Sequence, residues 1–337
     1  MKLVIEANIP YIRGIFEPFG EVAYLAPDAI TPEAVKDADG LIVRTRTKCN
    51  AALLEGSKCR FVGTATIGTD HIDKEYCKRA GITTVSAPGC NAPAVAQYVI
   101  ATAGRWAEEK GLNPADLTLG IVGVGHVGSI ISRWAKANGF RVLECDPPRQ
   151  RAEKGEFVSL QTVAEEADII TFHTPLNKTG EDATFHLGNG EFFRSLKRCK
   201  LIINSARGPV FDTEALVAAM QTNPDFPDVT IDCWEGEPNI NRYLLEHTYT
   251  ATPHIAGYSS EGKHRATDMM VAAAAKFFNL PLQLKPVDMG LSYTPSLQCV
   301  MDSYNPHEDT KNLRNAPSDF EALRNHYNLR PEPKPER

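Results

Sequence analysis

The sequence lacks any hydrophobic run long enough to cross a bilayer. Its longest uninterrupted apolar stretch covers residues 269–275, against the roughly 20 residues that a membrane helix needs. No secretory signal is expected either, because Glu6 cuts short the apolar start of the chain. There is no excess of basic charge. Lys and Arg number 36 against 42 Asp and Glu, a net charge of −6, so the electrostatic footprint of a nucleic-acid binder is absent. The eight cysteines form no Cys-x-x-Cys pair, which weakens zinc-site and thioredoxin-like readings. In a long chain without a leader they read as reduced thiols. No repeat and no low-complexity block occur before the final Pro/charge alternation, whose last seven residues are expected to be disordered. These absences predict a cytoplasmic protein with no metal and with neither nucleic acid nor membrane as partner.

What is present is ordinary globular material. Of the 337 residues, 42% are hydrophobic and 23% charged, a soluble-domain composition. At roughly 150 residues per domain the length suggests two domains. Short β-rich runs alternate with helical stretches. Strands are expected at 3–7, 21–25, 39–43, 61–64 and 82–85, and again at 117–122, 141–145, 168–171, 200–204, 228–232 and 248–252. Helices are expected at 92–110, 129–138 and 260–278, and Thr31-Pro32 marks the start of another. Alternation of this kind predicts two doubly wound parallel sheets, an α/β fold.

The hexamer Gly123-Val124-Gly125-His126-Val127-Gly128 fits G-x-G-x-x-G between a strand and a helix. In that context each glycine has a task. Gly123 permits the tight turn, Gly125 lets a pyrophosphate approach the backbone, and Gly128 allows close helix–sheet packing. A helix N-terminus then offers free N–H groups to the phosphates. Asp146 ends the next strand at about the spacing where a carboxylate takes ribose hydroxyls and repels a 2′-phosphate. NAD is therefore expected rather than NADP, with Pro147-Pro148 expected to turn Arg149 away.

Three segments fall at the C-terminal ends of expected strands, where open α/β sheets hold ligands. They are Asn204-Ser205-Ala206-Arg207-Gly208, Asp232-Cys233-Trp234-Glu235-Gly236-Glu237-Pro238 and Thr252-Pro253-His254-Ile255-Ala256-Gly257-Tyr258. They offer one guanidinium, several carboxylates and one imidazole beside a nicotinamide site. A guanidinium can hold a substrate carboxylate. A histidine can take a hydroxyl proton. A carboxylate can orient that histidine and favour its charged form. Spacing leaves Glu235 and Glu237 both open for that task. His71, His126, His173, His186 and His264 read as ordinary packed or surface residues.

These strings resemble the D-isomer-specific 2-hydroxyacid dehydrogenases over residues 1–280. The resemblance implies catalytic Arg207, Glu237 (the glutamate directly before proline) and His254. It is strongest to a branch acting on a 4-phosphorylated hydroxy acid in pyridoxal 5′-phosphate synthesis. The carrying strings are Gly63-Thr64-Ala65-Thr66-Ile67-Gly68-Thr69-Asp70-His71, Pro88-Gly89-Cys90-Asn91-Ala92, Phe172-His173-Thr174-Pro175-Leu176 and His254-Ile255-Ala256-Gly257-Tyr258. That branch implies substrate contacts at Thr45, Thr66 and Tyr258. It implies NAD contacts at His126, Val127, Asp146, Thr174, Ser205, Ala206, Arg207, Asp232 and Gly257, beside the turn glycines. It further implies a flavodoxin-like substrate domain (1–94 and 258–284), an inserted Rossmann NAD domain (95–257), and a homodimer.

The segment 285–337 then reads as an abbreviated form of the family's dimerisation module, keeping Phe320-Glu321-Ala322-Leu323-Arg324-Asn325-His326-Tyr327. The substrate is expected between the domains, its carboxylate on Arg207. Its phosphate needs cations. Arg44 and Arg46 flank Thr45, and strand alternation would send both to one face; Lys48 and Arg324 are further candidates. Two other readings stand beside this one: a 3-phosphoglycerate or hydroxypyruvate type of dehydrogenase, and an NAD-sensing binding protein on the same fold.

Overall fold

The computed structural model describes residues 1–290 and 292–334. The chain divides into two compact units. One joins Met1–Asn91 to Ser259–Ser292, and the other joins Ala92–Tyr258 to the C-terminal residues from Tyr293 onward.

The first unit carries β1 (Lys2–Glu6), β2 (Glu21–Leu25), β3 (Gly40–Val43), β4 (Phe61–Thr64) and β5 (Thr83–Val85). All pair in parallel in the order β2-β1-β3-β4-β5, the flavodoxin-like order. Side chains alternate between two cores, as a strand's period of two demands. Leu3, Ile5, Ile42 and Phe61 face the helix Ser260–Phe277, meeting Ala266, Met270 and Ala274. Val4, Leu41, Val43 and Val62 face the opposite layer with Val35, Leu54 and Cys77. Burial on both faces explains why these strands read as continuous apolar runs.

The second unit carries β6 (Thr118–Val122), β7 (Arg141–Cys145), β8 (Ile169–Phe172), β9 (Leu201–Asn204), β10 (Asp228–Ile231) and β11 (Thr250–Ala251). Its parallel sheet runs β11-β10-β9-β8-β6-β7. The chain leaves β7 on one side of β6 and returns as β8 on the other. Such a reversal opens a ligand crevice at the strands' C-terminal ends. One face packs the helix Ala92–Glu109, of whose 18 residues 15 are buried. Trp106 and Tyr98 fill that layer with Trp134 of the helix His126–Ala137. The long helix is thus a core element of this unit. The opposite face buries Val122, Ile170, Phe172 and Ile202.

The C-terminal residues, expected as an abbreviated dimerisation module, group with the second unit from Tyr293 onward. They form the helices Leu297–Ser303, Pro306–Asn315 and Phe320–Asn325. Thr310 Oγ1 accepts the Ala251 N–H at 3.0 Å, so the second of these helices covers the edge strand β11. Leu313 and Phe320 are fully buried in the second core. Burying a phenylalanine is worth roughly 1.5–3 kcal/mol, which the scattered charges of this stretch conceal from periodicity.

Leu297–Ser303 lies against the long helix at Gly104. A Cβ on Gly104 would fall 2.8 Å from Leu297 Cδ1 and 2.9 Å from Met301 Sδ. Gly104→Ile is therefore expected to cost about 1–3 kcal/mol by overpacking, read as a lower urea midpoint at unchanged slope. Gly104→Ala should be nearly neutral, since flexible side-chain ends can yield and helix propensity gains.

Candidate active site

The site begins at the turn after β6. Gly123 has φ +90°, and a Cβ there would fall 2.8 Å from the His173 carbonyl carbon. A Cβ on Gly128 would fall 2.1 Å from Gly123 O. Both positions therefore need glycine for packing. Gly125 faces open space and is the N-cap of His126–Ala137, with no side-chain cap bond. The helix thus starts three residues before the expected Ser129. The glycine turn itself is the first helical turn, so the N–H groups of His126, Val127 and Gly128 are among those an incoming anion can take.

Asp146 follows β7. Its Oδ2 accepts the Val124 N–H at 2.8 Å and its Oδ1 the Arg149 N–H at 3.0 Å. Arg149 departs from expectation. Pro147 and Pro148 open the helix Pro147–Ala152, as proline at the first helical positions can. The helix carries Arg149 back to the turn, where Nη1 donates to Val124 O at 2.7 Å. Glu153 pairs with the same guanidinium at 2.6 Å.

Beyond β8, burial pushes the His173 imidazole down to about 3, so it is neutral. Two buried hydroxyls near these strand ends, Thr174 Oγ1 and Ser205 Oγ, have no hydrogen-bond partner. An uncapped helix end, a glycine cradle, a carboxylate and orphaned hydroxyls fit a dinucleotide.

Three further loops follow β9, β10 and β11, at the same edge of the parallel sheet. A Cβ on Gly208 would fall 2.0 Å from Trp234 O, so the Arg207 loop and the Trp234 loop pack backbone to backbone. Arg207 Nη1 donates to Ala206 O at 2.7 Å. The two glutamates left open by spacing have different partners. Glu235 accepts from Thr213 N at 3.1 Å and meets His186 Nε2 at 2.7 Å. Glu237 meets His254 Nδ1 at 2.9 and 3.1 Å and accepts the Trp234 N–H at 2.7 Å. Burial pushes the Glu237 carboxyl up. The hydrogen bond and charge of His254, the Trp234 N–H and Arg324 outweigh it and bring the carboxyl below its ordinary value. With Glu237 on Nδ1, the other ring nitrogen is left for a reacting hydroxyl.

His254 stands at φ +58°, which only a firmly held backbone sustains. Asp232 holds it from inside the sheet. Its Oδ1 accepts Thr252 Oγ1 and the Ile255 N–H, each at 2.7 Å, and its Oδ2 the Ala256 N–H at 3.0 Å. Burial pushes the Asp232 carboxyl up, and the His254 charge with these hydrogen bonds offsets only part.

Arg330 grips the same loop from the other side. It donates to Ile255 O at 2.9 Å, to Ala256 O, to Ala94 O at 3.1 Å and to Gln97 Oε1 at 2.9 Å. Its guanidinium also lies 4.3 Å from the Tyr304 ring centroid. Arg330 and Glu332 are buried at 6% and 5% exposure, and Gln97 Nε2 donates to Pro331 O at 2.9 Å. This overturns the expected disorder as far as Lys334; the remainder of that expectation lies outside the described residues. A single arginine between Leu329 and a proline-rich end carries no periodic signal, which is why the sequence did not reveal it.

Of the residues implied for substrate, Tyr258 ends this loop and meets the Tyr327 ring edge-on at 6.1 Å. Thr45 and Thr66 belong to the first unit. Thr66 Oγ1 lies 2.6 Å from Thr64 Oγ1, which lies 3.1 Å from His71 Nε2. Thr45 and Arg46 lie in an exposed turn after β3. The alternation expected for Arg44 and Arg46 fails because the strand has already ended at Val43. Arg44 reaches Asn8 O at 3.5 Å.

Residues 91–256 match the family model described as "D-isomer specific 2-hydroxyacid dehydrogenase, NAD binding domain". The chain is 47% identical, over 99% of its length and 98% of the other's, to erythronate-4-phosphate dehydrogenase of Bacteroides thetaiotaomicron. It is 42% identical to that of Porphyromonas gingivalis, over 97% of this chain and 92% of that one. A solved 3-phosphoglycerate dehydrogenase of Entamoeba histolytica with bound NAD+ is similar at 25% identity and TM-score 0.68, covering 88% of this chain and 99% of that one.

Arg330→Ala leaves loop carbonyls unsatisfied, at roughly 1–3 kcal/mol for each buried group. Hydrogen exchange at the amides of residues 254–258 is expected to quicken at least about tenfold. Arg330→Lys should restore only part of the protection, because an ammonium lacks the planar fork.

Proposed function

The chain belongs to the D-isomer specific 2-hydroxyacid dehydrogenase family, and from that premise we propose that it oxidises 4-phospho-D-erythronate at C2 in pyridoxal 5′-phosphate synthesis. The product is (R)-3-hydroxy-2-oxo-4-phosphooxybutanoate, and NAD is the cofactor. The observation that carries the reading is the His254–Glu237 pair at 2.9 Å, on strand-end loops beside the glycine turn, in a chain so similar to proteins named for this reaction.

His254 takes the proton of the C2 hydroxyl on its free ring nitrogen. Glu237 fixes the ring through Nδ1 and stabilises the imidazolium that forms. Arg207 binds the substrate carboxylate with a planar fork and polarises the C2 oxygen. Thr45, Thr66 and Tyr258 hold the remaining polar groups of the substrate. Gly123, Gly125, His126, Val127 and Gly128 cradle the pyrophosphate, and Asp146 takes the ribose hydroxyls. Thr174, Ser205, Ala206, Arg207, Asp232 and Gly257 complete the cofactor contacts. When bound, NAD supplies the acceptor for the C2 hydride. Homodimer formation through the C-terminal residues and residence in the cytoplasm belong to the same reading, supported by the resemblance to the family. No helix among the described residues is long and apolar enough to cross a membrane.

The test is turnover on 4-phospho-D-erythronate, followed as NADH or with a 2-oxo acid as terminal acceptor, against 3-phosphoglycerate. The kcat/KM is expected to favour the first by more than about 100-fold, because 3-phosphoglycerate carries the same charged groups but lacks one CHOH unit between them, and misplacing a reacting centre by about an ångström can cost 10²-fold; a preference for 3-phosphoglycerate would overturn the assignment.

The pair also sets a pH dependence. Burial raises the Glu237 carboxyl, but the hydrogen bond and charge of His254 with the Trp234 N–H and Arg324 outweigh it and hold the carboxyl below its ordinary value, so the carboxylate that orients the ring persists as pH falls. Glu237→Gln removes that titrating group, so kcat should fall and the acid limb of the oxidation profile should change shape. A superimposable limb would remove Glu237 from this role.

A further inference from the structure

The helix Phe320–Asn325 is fixed to the second unit by buried Phe320, with Leu323 packed against the same core. Its last turn carries Arg324. The Arg324 Nη1 atom lies 3.8 Å from Glu237 Oε2. That is ion-pair distance but beyond a hydrogen bond. Glu237 does not need this donor, because His254 and the Trp234 N–H already occupy its oxygens. Arg324 is only partly engaged. Its guanidinium shares a side-chain hydrogen bond with Tyr258, its Nε is buried with no hydrogen-bond partner, and the side chain as a whole keeps 25% exposure. Burial opposes its charge, and interaction with Tyr258 and Glu237 more than offsets that opposition.

A guanidinium whose Nε donor is unsatisfied therefore stands between the carboxylate that orients His254 and the last residue of the His254 loop. Arg207 is a separate cation on a different loop, so the two can serve two different anions. Arg149, which donates to Val124 O in the glycine turn, is paired with Glu153 at 2.6 Å. Orphaned buried donors in a native fold call for an explanation, and a planar fork suits a phosphate.

We propose that Arg324 is the ligand for the substrate's phosphate group, so that the C-terminal residues supply the specificity of the site. This rests on the reading that the substrate is a phosphorylated 2-hydroxy acid with its C2 hydroxyl at His254. The chain from C2 to phosphorus is short, so a phosphate bound near Tyr258 keeps C2 beside the imidazole. Phosphate binding would draw the guanidinium away from Glu237, and Tyr258 would share the anion through its hydroxyl.

The experiment compares wild type, Arg324→Ala and Arg324→Lys on 4-phospho-D-erythronate and on unphosphorylated D-erythronate. Inorganic phosphate serves as competitive inhibitor. For Arg324→Ala, kcat/KM on the phosphorylated substrate should fall on the order of 10–100-fold, as for a lost charge-assisted hydrogen bond. The change should lie mainly in KM, with a much smaller fall on D-erythronate and weaker inhibition by phosphate. Arg324→Lys, keeping the charge without the fork, should fall between. NADH binding by fluorescence checks that each variant is folded. If the alanine variant is not, the lysine variant's KM and phosphate inhibition decide. An equal fall on both substrates, or a moved pH limb with unchanged phosphate inhibition, would overturn the proposal and make Arg324 a partner of Glu237 alone. Failure of wild type to oxidise 4-phospho-D-erythronate would instead overturn the reading on which it rests.

Discussion

The geometry of the candidate site depends on one buried carboxylate. Asp232 accepts a hydroxyl and two backbone N–H groups from the segment that carries His254. Without it that segment could not hold a non-glycine residue at positive φ, a conformation that costs of order 1–3 kcal/mol. Asp232 is itself costly, because burial disfavours its charge. The fold accepts that cost by surrounding it with donors. Tyr98 reaches Thr252 at 2.9 Å from the long helix, so the Asp232 network is tied to the core. Arg330 satisfies the loop's outward carbonyls. Anion inside and cation outside thus saturate a short stretch of backbone, leaving the imidazole as its free chemical group.

The same economy separates the two glutamates of the neighbouring loop. They stand two positions apart and have nearly the same sequence context. Glu235 is turned toward His186 and the start of the helix Thr213–Thr222. Glu237 is turned toward His254. The backbone contact between Gly208 and Trp234 fixes the loop and with it which carboxylate faces which ring. Arg207 and Glu237 are therefore coupled through packed main chain, not through a direct bond.

Much of this is legible in the sequence. Period-two burial gave continuous apolar strands, and parallel strands deliver their following residues to one edge. Gly123, Asp146, Arg207 and His254 lie within three residues of a strand's end, where local patterns place candidates; spacing leaves Glu235 and Glu237 both open, and the family resemblance points to Glu237. The missed features share a different cause. Arg330 donates to loop carbonyls more than 70 residues away in sequence, and nothing in the intervening composition announces the contact; Arg324 is legible only as one candidate cation among several, without its partner Glu237. Arg149 was misjudged because a double proline can begin a helix as well as break one. The helix start at His126 was misplaced because glycines read as turn even where they form a first helical turn. The turn at residues 44–46 escaped because the strand pattern was extended past its last ladder residue.

The position of Arg330 in chain order has a consequence for how the protein is made. Synthesis is vectorial, and Ala94, Gln97, Ile255 and Ala256 all leave the ribosome before residue 330 does. Both sheets can assemble during that interval, since every strand lies before residue 252. The His254 segment cannot have its carbonyls satisfied by this guanidinium until it emerges. The scaffold can therefore form while translation continues, and the reactive loop receives its last restraint only afterwards.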